Sequence, residues 1–356
     1  MTTQHTCVDA SEVRRLQRLR SVGSVSVLLH CSGRWESDRP TLDSCVREAQ
    51  RRLVDEVSPG DADVIVQRLE SLCENADMPG SASLALFASV EHQAIFALDV
   101  QIPTRVVVDD TYATRDLVLA SHRQAEYQLI TLGSRLTRRF EGRGRHLSEV
   151  HGGGFPLRDE ASEREQRTDR ARSADLELYG REVERLVMSE LPDDGRPIIL
   201  AGTPRRVAAV GARPRLARQP VTRVDHNLER AEMAEIRDVV SPILDRLLAE
   251  RQDAAISAAH AAVGQHRGAV GILSAWEAAV SGRVQHLVVE RGYRVGARMH
   301  PDGRTFTRTD DVTAPGVIDD LVDELIELTL ARSGGVTIVD DGALSHAERL
   351  AAILRY

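Results

Sequence analysis

The sharpest local string in the 356-residue sequence is His151-Gly152-Gly153-Gly154-Phe155. Adjacent glycines remove side chains at a cost in backbone entropy, so they suit a place where the chain turns freely or lets another molecule approach its amides. The string invites comparison with the oxyanion loop of lipases and esterases. That chemistry needs a G-x-S-x-G nucleophile elbow, and the sequence contains none. The glycines therefore read either as a contact loop or as the end of a loose hairpin. No Lys occurs, so all 46 basic residues are Arg. A Walker A phosphate loop and a Lys Schiff base are both excluded, and kinase, P-loop ATPase and aldolase-type chemistry with them. Cys7, Cys31, Cys45 and Cys73 form no C-x-x-C pair, which supports neither a zinc cluster nor a disulfide framework. His122, His146, His226, His260 and His266 show no H-E-x-x-H spacing and read as core or surface histidines, while Trp35 and Trp276 read as packing residues. No catalytic residue, metal or cofactor is expected.

Charge is the second signal. The net charge of −8 argues against nonspecific nucleic-acid binding by the whole surface, but its distribution is uneven. Residues 36–77 and 300–356 each hold eleven acids and five Arg. By contrast, residues 196–224 hold seven Arg (Arg196, Arg205, Arg206, Arg213, Arg215, Arg218, Arg223) and no acid. Residues 135–158 hold six Arg, among them Arg138, Arg139, Arg143 and Arg145, against Glu141 and Glu149. A planar guanidinium suits phosphate and base stacking, so the basic middle predicts contact with a polyanion, RNA being the natural one. Aromatic residues make up only 3% of the chain, and no stacking platform is visible.

The length predicts two or three domains, and no apolar run is long enough to span a membrane. The N-terminus lacks an apolar secretory segment, which makes the cytoplasm the expected compartment. The first region reads as α/β: a helix over 11–20 with Ser11 as its cap, a strand over 24–31, helices over 43–57 and 61–74, a hairpin over 83–99, then a link through 102–108. The second opens with three short extended runs (127–132, 135–140, 142–150) that predict an antiparallel meander stopped by the glycines. A charged, helix-compatible stretch follows over 159–191, amphipathic only in its second half, so its first half reads as a mobile arm. A buried strand over 197–202 leads into the Arg-rich segment, which reads as loop and linker. In the third region we expect helices over 228–250, 253–263, 273–281, 319–331 and 345–354, with strands over 284–290 and 335–340.

This order resembles the archaeal and eukaryotic class-1 release factors and Pelota, and specifically their bacterial relatives, the bacterial archaeo-eukaryotic release factor family. The resemblance rests on RLTRRFEGRGRHLSEVHGGG at 135–154, on IILAG at 198–202 after the helix, and on the helix-to-strand passage at 279–290. It implies three α/β domains in release-factor-like order: an N-terminal domain over 1–115, a middle domain of ribonuclease H-like topology over 116–223, and a C-terminal α/β/α sandwich over 224–356. In that family the loop carries Gly-Gly-Gln, whose tip enters the peptidyl-transferase centre. Here Gly152, Gly153 and Gly154 take the matching place after His151, Phe155 stands where the amide is wanted, and the nearest downstream Gln is Gln166.

The resemblance thus implies a ribosome-binding factor, possessed of the loop's shape without its amide, that occupies the A site in hibernation or stress. Ribosomal RNA would be contacted by Arg138, Arg139, Arg143, Arg145, Arg205, Arg206, Arg213, Arg215 and Arg218. Ribosomal proteins and a translational GTPase are further implied partners; DNA and membrane are not. The alternatives are a peptidyl-tRNA hydrolase for stalled ribosomes, using His151 or a positioned water, and a stress-related interaction module without RNA contact.

Overall fold

The computed structural model describes residues 3–5, 8, 10–78, 81–123, 126–144, 146–159, 169–190, 195–312, 314 and 316–356. They divide into two compact units, Met1–Arg123 with Leu248–Tyr356, and Gln124–Leu247. Among the described residues no helix is long and apolar enough to cross a membrane.

The N-terminal part of the first unit comprises β1 (Thr3–His5), α1 (Ala10–Leu16), β2 (Ser24–His30), α2 (Trp35–Glu56), α3 (Pro59–Glu74), β3 (Ser83–Ala88), β4 (Gln93–Leu98), β5 (Arg105–Asp109) and α4 (Arg115–Arg123). Its sheet runs β1-β4-β3-β2-β5. Alternation along β2 sends Val25, Val27 and Leu29 into the core under α2 and α3, and Leu28 into the opposite layer with α1 and α4. Ser58 caps α3 by accepting the Asp61 N–H, and Pro59 occupies the first helical position, where a missing N–H costs nothing. Part of the expected link at 102–108 is β5, a strand that pairs antiparallel with β2. Ser11 lies inside α1 rather than capping it.

The second unit holds β6 (Glu126–Leu132), β7 (Leu136–Arg143), β8 (His146–Val150), β9 (Leu157–Arg158), α5 (Asp169–Glu190), β10 (Ile198–Gly202), α6 (Pro204–Gly211) and β11 (Val221–Val224). β6, β7 and β8 form the expected antiparallel meander, β10 pairs parallel with β6, and β11 pairs parallel with β10. The resulting order, β11-β10-β6-β7-β8, is the ribonuclease H-like topology. The Arg-rich segment is not a linker. It folds into α6, with Pro204 at its start, a 3-10 turn at Leu216–Arg218, and the edge strand β11. Buried Val207, Val210 and Leu216 are the apolar content that folds it. Residues 160–168, within the expected mobile arm, lie outside the described set.

A single helix, α7 (Met233–Gly264), replaces the two expected over 228–263. Ile236, Val240 and Ile243 of its first half cover the face of the middle sheet that bears Tyr127, Leu129 and Phe140. The structural division therefore falls after Leu247, whereas the sequence placed a boundary at 223/224.

The C-terminal part follows with β12 (Gly268–Val270), α8 (Gly271–Val280), β13 (Val284–Glu290), β14 (Ala297–Met299), β15 (Phe306–Arg308), α9 (Leu321–Ala331), β16 (Gly335–Val339) and β17 (Leu350–Leu354). Its sheet runs β12-β17-β13-β16, with α8 and α9 against one face and the second half of α7 against the other, an α/β/α sandwich. The expected helix over 345–354 is instead a 3-10 turn at Ser345–Ala347 followed by β17, which lies between β12 and β13. Five apolar residues are too few for periodicity to separate a helix from a strand buried on both faces.

One apolar cluster joins Leu28, Phe87 and Phe96 of the N-terminal sheet and Leu117 of α4 to Ile272, Leu287, Leu325 and Ile326 of the C-terminal part. Through this layer runs Arg115, 1% exposed. Its guanidinium donates to the backbone carbonyls of Glu290 at 2.7 Å, Arg291 at 2.9 Å and Tyr293, and to the Asp320 carboxylate at 3.1 Å. Asp320 in turn caps α9 by accepting the Val322 N–H at 3.1 Å. These contacts tie α4 to the first unit and carry its edge past the 115/116 boundary read from the sequence.

Replacing Arg115 by Met removes the guanidinium that donates to the buried Asp320 carboxylate and to three backbone carbonyls, and we expect a loss of about 3–5 kcal/mol. Urea unfolding read by hydrogen exchange in α9 measures it, and a loss within experimental error of zero overturns the assignment. In the same layer Glu327 accepts the Thr114 hydroxyl at 3.1 Å, and burial, reinforced by Asp323 and Glu324, pushes its carboxyl up to about 10. The folded chain keeps a proton that the unfolded chain releases near 4.5, so this contribution to stability is whole in acid and falls as pH rises towards about 10. Glu327→Gln keeps an acceptor and has no proton to lose; its stability measured between about pH 5 and 9 is expected to decline less steeply than the parent's.

Candidate nucleic-acid interface

The glycine string forms a tight hairpin tip. Beyond β8 the chain loops out and rejoins the edge of β7 as β9, which runs on in the same direction as β8. Gly152 and Phe155 exchange both backbone hydrogen bonds at 2.9 Å, leaving Gly153 and Gly154 as the two turn residues. Their φ angles of +58° and +88° are those that glycine adopts without strain, as two-residue hairpin turns require. Phe155 anchors one side of the turn in the apolar cluster with Tyr179, Val183 and Leu186 of α5. Residues 151–154 stay exposed.

Close approach to α5 also leaves little room for side chains at the turn. A Cβ on Gly154 would lie 2.4 Å from Leu186 Cδ2, and one on Gly153 2.7 Å from Glu190 Cδ, whereas one on Gly152 meets nothing within 4 Å. Gly152 is thus open on its outer side, and its two successors are seated on the last turns of α5.

The arginines singled out from the sequence fall into two groups. Those of the meander are engaged within their own unit. Arg138 forms a two-pronged pair with Glu149 at 2.6 and 3.0 Å, donates to the Ala231 carbonyl, and lies 4.8 Å from the centre of the Phe140 ring. This hydrogen-bonded pair holds the Glu149 carboxyl below its ordinary value. Arg139, 3% exposed, donates to Gln128 Oε1 at 3.0 Å and Glu141 at 2.8 Å, and sits 3.6 Å from Glu190. Through Glu190 it braces the helix end beneath Gly153. Arg143 pairs with Glu126, which also takes Arg196 at 2.8 Å. Arg145 lies outside the described residues.

The second group follows α5. Arg206 pairs with Asp159 at 2.6 Å and stacks 4.3 Å from the centre of the Tyr179 ring, while the Tyr179 hydroxyl meets Thr137 Oγ1 at 2.6 Å. Arg213 lies 3.6 Å from Glu184, which accepts the Arg215 backbone N–H at 2.7 Å. Arg205, Arg215 and Arg218 are exposed; Arg205 reaches Ser173 Oγ at 3.5 Å, and among the described residues no carboxylate pairs with the three guanidiniums. Ser173, Glu184 and Glu190 mark positions along one helix, so the contacts of this group and the tip contact are spread over about 25 Å at 1.5 Å per residue.

One residue of this framework carried no sequence signal. Glu229, more than 90 residues away along the chain, accepts the backbone N–H groups of Ser134, Arg135 and Leu136 and the Ser134 hydroxyl, all within 3.0 Å. Burial pushes its carboxyl up, but these four donors outweigh burial and hold it below its ordinary value. It fixes the turn from which β7 starts. Among the described residues no group of three or more His, Cys, Asp or Glu is placed to hold a metal ion.

Residues 126–283 match the model of bacterial archaeo-eukaryotic release factor family 3. Comparison with curated proteins finds no match. Among solved structures, the chain is similar to Archaeoglobus fulgidus Pelota at 13% identity, covering 99% of this chain and 93% of that one with a TM-score of 0.39. It is similar to an archaeal translation termination factor, aRF1, at 16% identity over 98% and 97% of the two chains with a TM-score of 0.26. It is also similar to S. cerevisiae Dom34, described as a translation termination-like factor involved in RNA quality control and interacting with Hbs1, at 10% identity over 81% and 78% with a TM-score of 0.38. The meander, the glycine tip and the helix that seats it all lie inside the segment that matches bacterial archaeo-eukaryotic release factor family 3.

Proposed function

We propose that this chain is a ribosome-associated factor of the release-factor type, which occupies the A site of idle ribosomes and directs its glycine tip at ribosomal RNA. The observation that carries the reading is the exposed His151–Gly154 tip, turned through two glycines and open on the outer side of Gly152. A tip without side chains fits a narrow crevice, and its seat on α5 keeps it in one conformation, so little entropy is lost on entry. Arg205, Arg215 and Arg218 supply exposed cations on the same unit. Arg138, Arg139 and Arg143, paired within the fold, serve in this reading to brace the meander.

Binding rather than hydrolysis is its output. The side chain at the position of the family's amide is Phe155, buried and apolar. A partner GTPase and a role in hibernation under stress belong to the same proposal, and a ribosomal partner makes the cytoplasm its compartment.

Cosedimentation with vacant ribosomes over a salt series tests the reading. Wild-type binding is expected to weaken steeply with salt, and changing Arg205, Arg215 and Arg218 together to Ala to flatten the log-log slope by about 2. His151→Glu, which places a carboxylate at the tip, is expected to lower occupancy at least tenfold. Occupancy unchanged in both variants overturns the proposal, and release of peptide from peptidyl-tRNA that His151→Ala abolishes replaces it with the hydrolase reading.

A further inference from the structure

Two imidazoles meet on the surface of the first unit, far apart in sequence. His260 Nε2, on α7, lies 2.7 Å from His346 Nε2, in the 3-10 turn before β17, with ring centres 4.5 Å apart. Both side chains are exposed. Their backbones are not free: the adjacent Ala259 and Ala347 are buried in one shared apolar cluster, which fixes where each histidine starts.

The turn carrying His346 is held with unusual force. Glu290, 1% exposed, accepts the Leu344 N–H at 2.8 Å and Arg349 Nε at 2.7 Å, and Arg349 also reaches Asp341 at 2.8 Å. The chain then passes through two successive non-glycine residues with positive φ, Glu348 at +51° and Arg349 at +68°. Side chains adopt that region only at a cost, so the surrounding contacts impose the turn rather than follow from it.

From this we infer that His260 and His346 form a surface site for Zn²⁺, with water completing the coordination. Facing ring nitrogens offer two lone pairs to one point when each ring carries its N–H at Nδ1. Imidazole donors with no carboxylate among them select a late transition ion over Mg²⁺ or Ca²⁺. With Zn–N bonds of about 2.0–2.1 Å, tetrahedral geometry wants the two nitrogens about 3.3 Å apart, so the rings need part only slightly, which exposed side chains can do by small χ rotations. Ser345 Oγ lies 3.5 Å from His346 Nδ1, on the side that carries the N–H when Nε2 binds metal. The bound ion pins the second half of α7 to the turn that leads into the central strand β17. The site is independent of the glycine tip and stands or falls without the ribosome.

Calorimetric titration of ZnCl₂ into the full chain at pH 7.5 in chelator-free buffer tests the inference. We expect one equivalent bound with micromolar affinity, weakened at least tenfold in His260→Ala and in His346→Ala, and also in His346→Gln, which keeps the hydrogen-bonding capacity. The double variant should be no weaker than either single one, because the two act as one site, and His146→Ala should bind as the parent does. Zinc should raise the melting temperature of the parent and of His146→Ala but of no variant lacking His260 or His346, and MgCl₂ should raise none. Absence of zinc binding, or an equivalent that survives loss of both His260 and His346, overturns the assignment.

Discussion

The seat of α5 on the middle sheet is the packing on which the candidate interface depends. Tyr179, Val183, Leu186 and Val187 fill the apolar layer between that helix and Ile130, Leu132, Ile198 and Leu200 of the central strands. Once they are buried, Leu186 and Glu190 lie close beneath Gly154 and Gly153, where a glycine turn meets no clash. The hairpin turn, its exposure and its fixed direction follow from this one contact. Polar contacts finish the arrangement: Arg139 steadies Glu190, Arg206 stacks on Tyr179, and Glu229 gathers three backbone N–H groups at the start of the strand that carries Arg139.

The arginines show how one residue type serves opposite ends. Guanidinium is planar and keeps its charge, so a buried copy must meet carboxylates or carbonyls in its own plane. Arg115 does so between the two parts of the first unit, and Arg139 does so within the second. Arg205, Arg215 and Arg218 keep the same group in water, available to an external anion. A chain without lysine has drawn both its internal braces and its outward charge from one side chain.

Much of the fold was legible. A β-branched run announced β2, two strand-like runs about a turn announced β3 and β4, alternation announced the meander, and the amphipathic second half of 159–191 announced α5. The ribonuclease H-like order followed from resemblance, and the strand pairings agree with it. Failures came where pattern and burial part company. The run at 350–354 is alanine-rich and short, and burial on both faces made it a strand rather than a helix. The Arg-rich segment concealed Val207, Val210 and Leu216, which sufficed to fold it.

The sequence by itself determined the kinds of group present: glycines without side chains, cations that are all Arg, no thiol pairs and no nucleophile elbow. It also determined most of the elements, because hydrophobic periodicity is a local property. Tertiary structure alone decided which arginines are neutralised and which face outward, that Gly153 and Gly154 lie close against α5, and that His260 meets His346. Each of these is a distance between residues far apart in the chain, and such distances arise only when buried surfaces are matched in three dimensions.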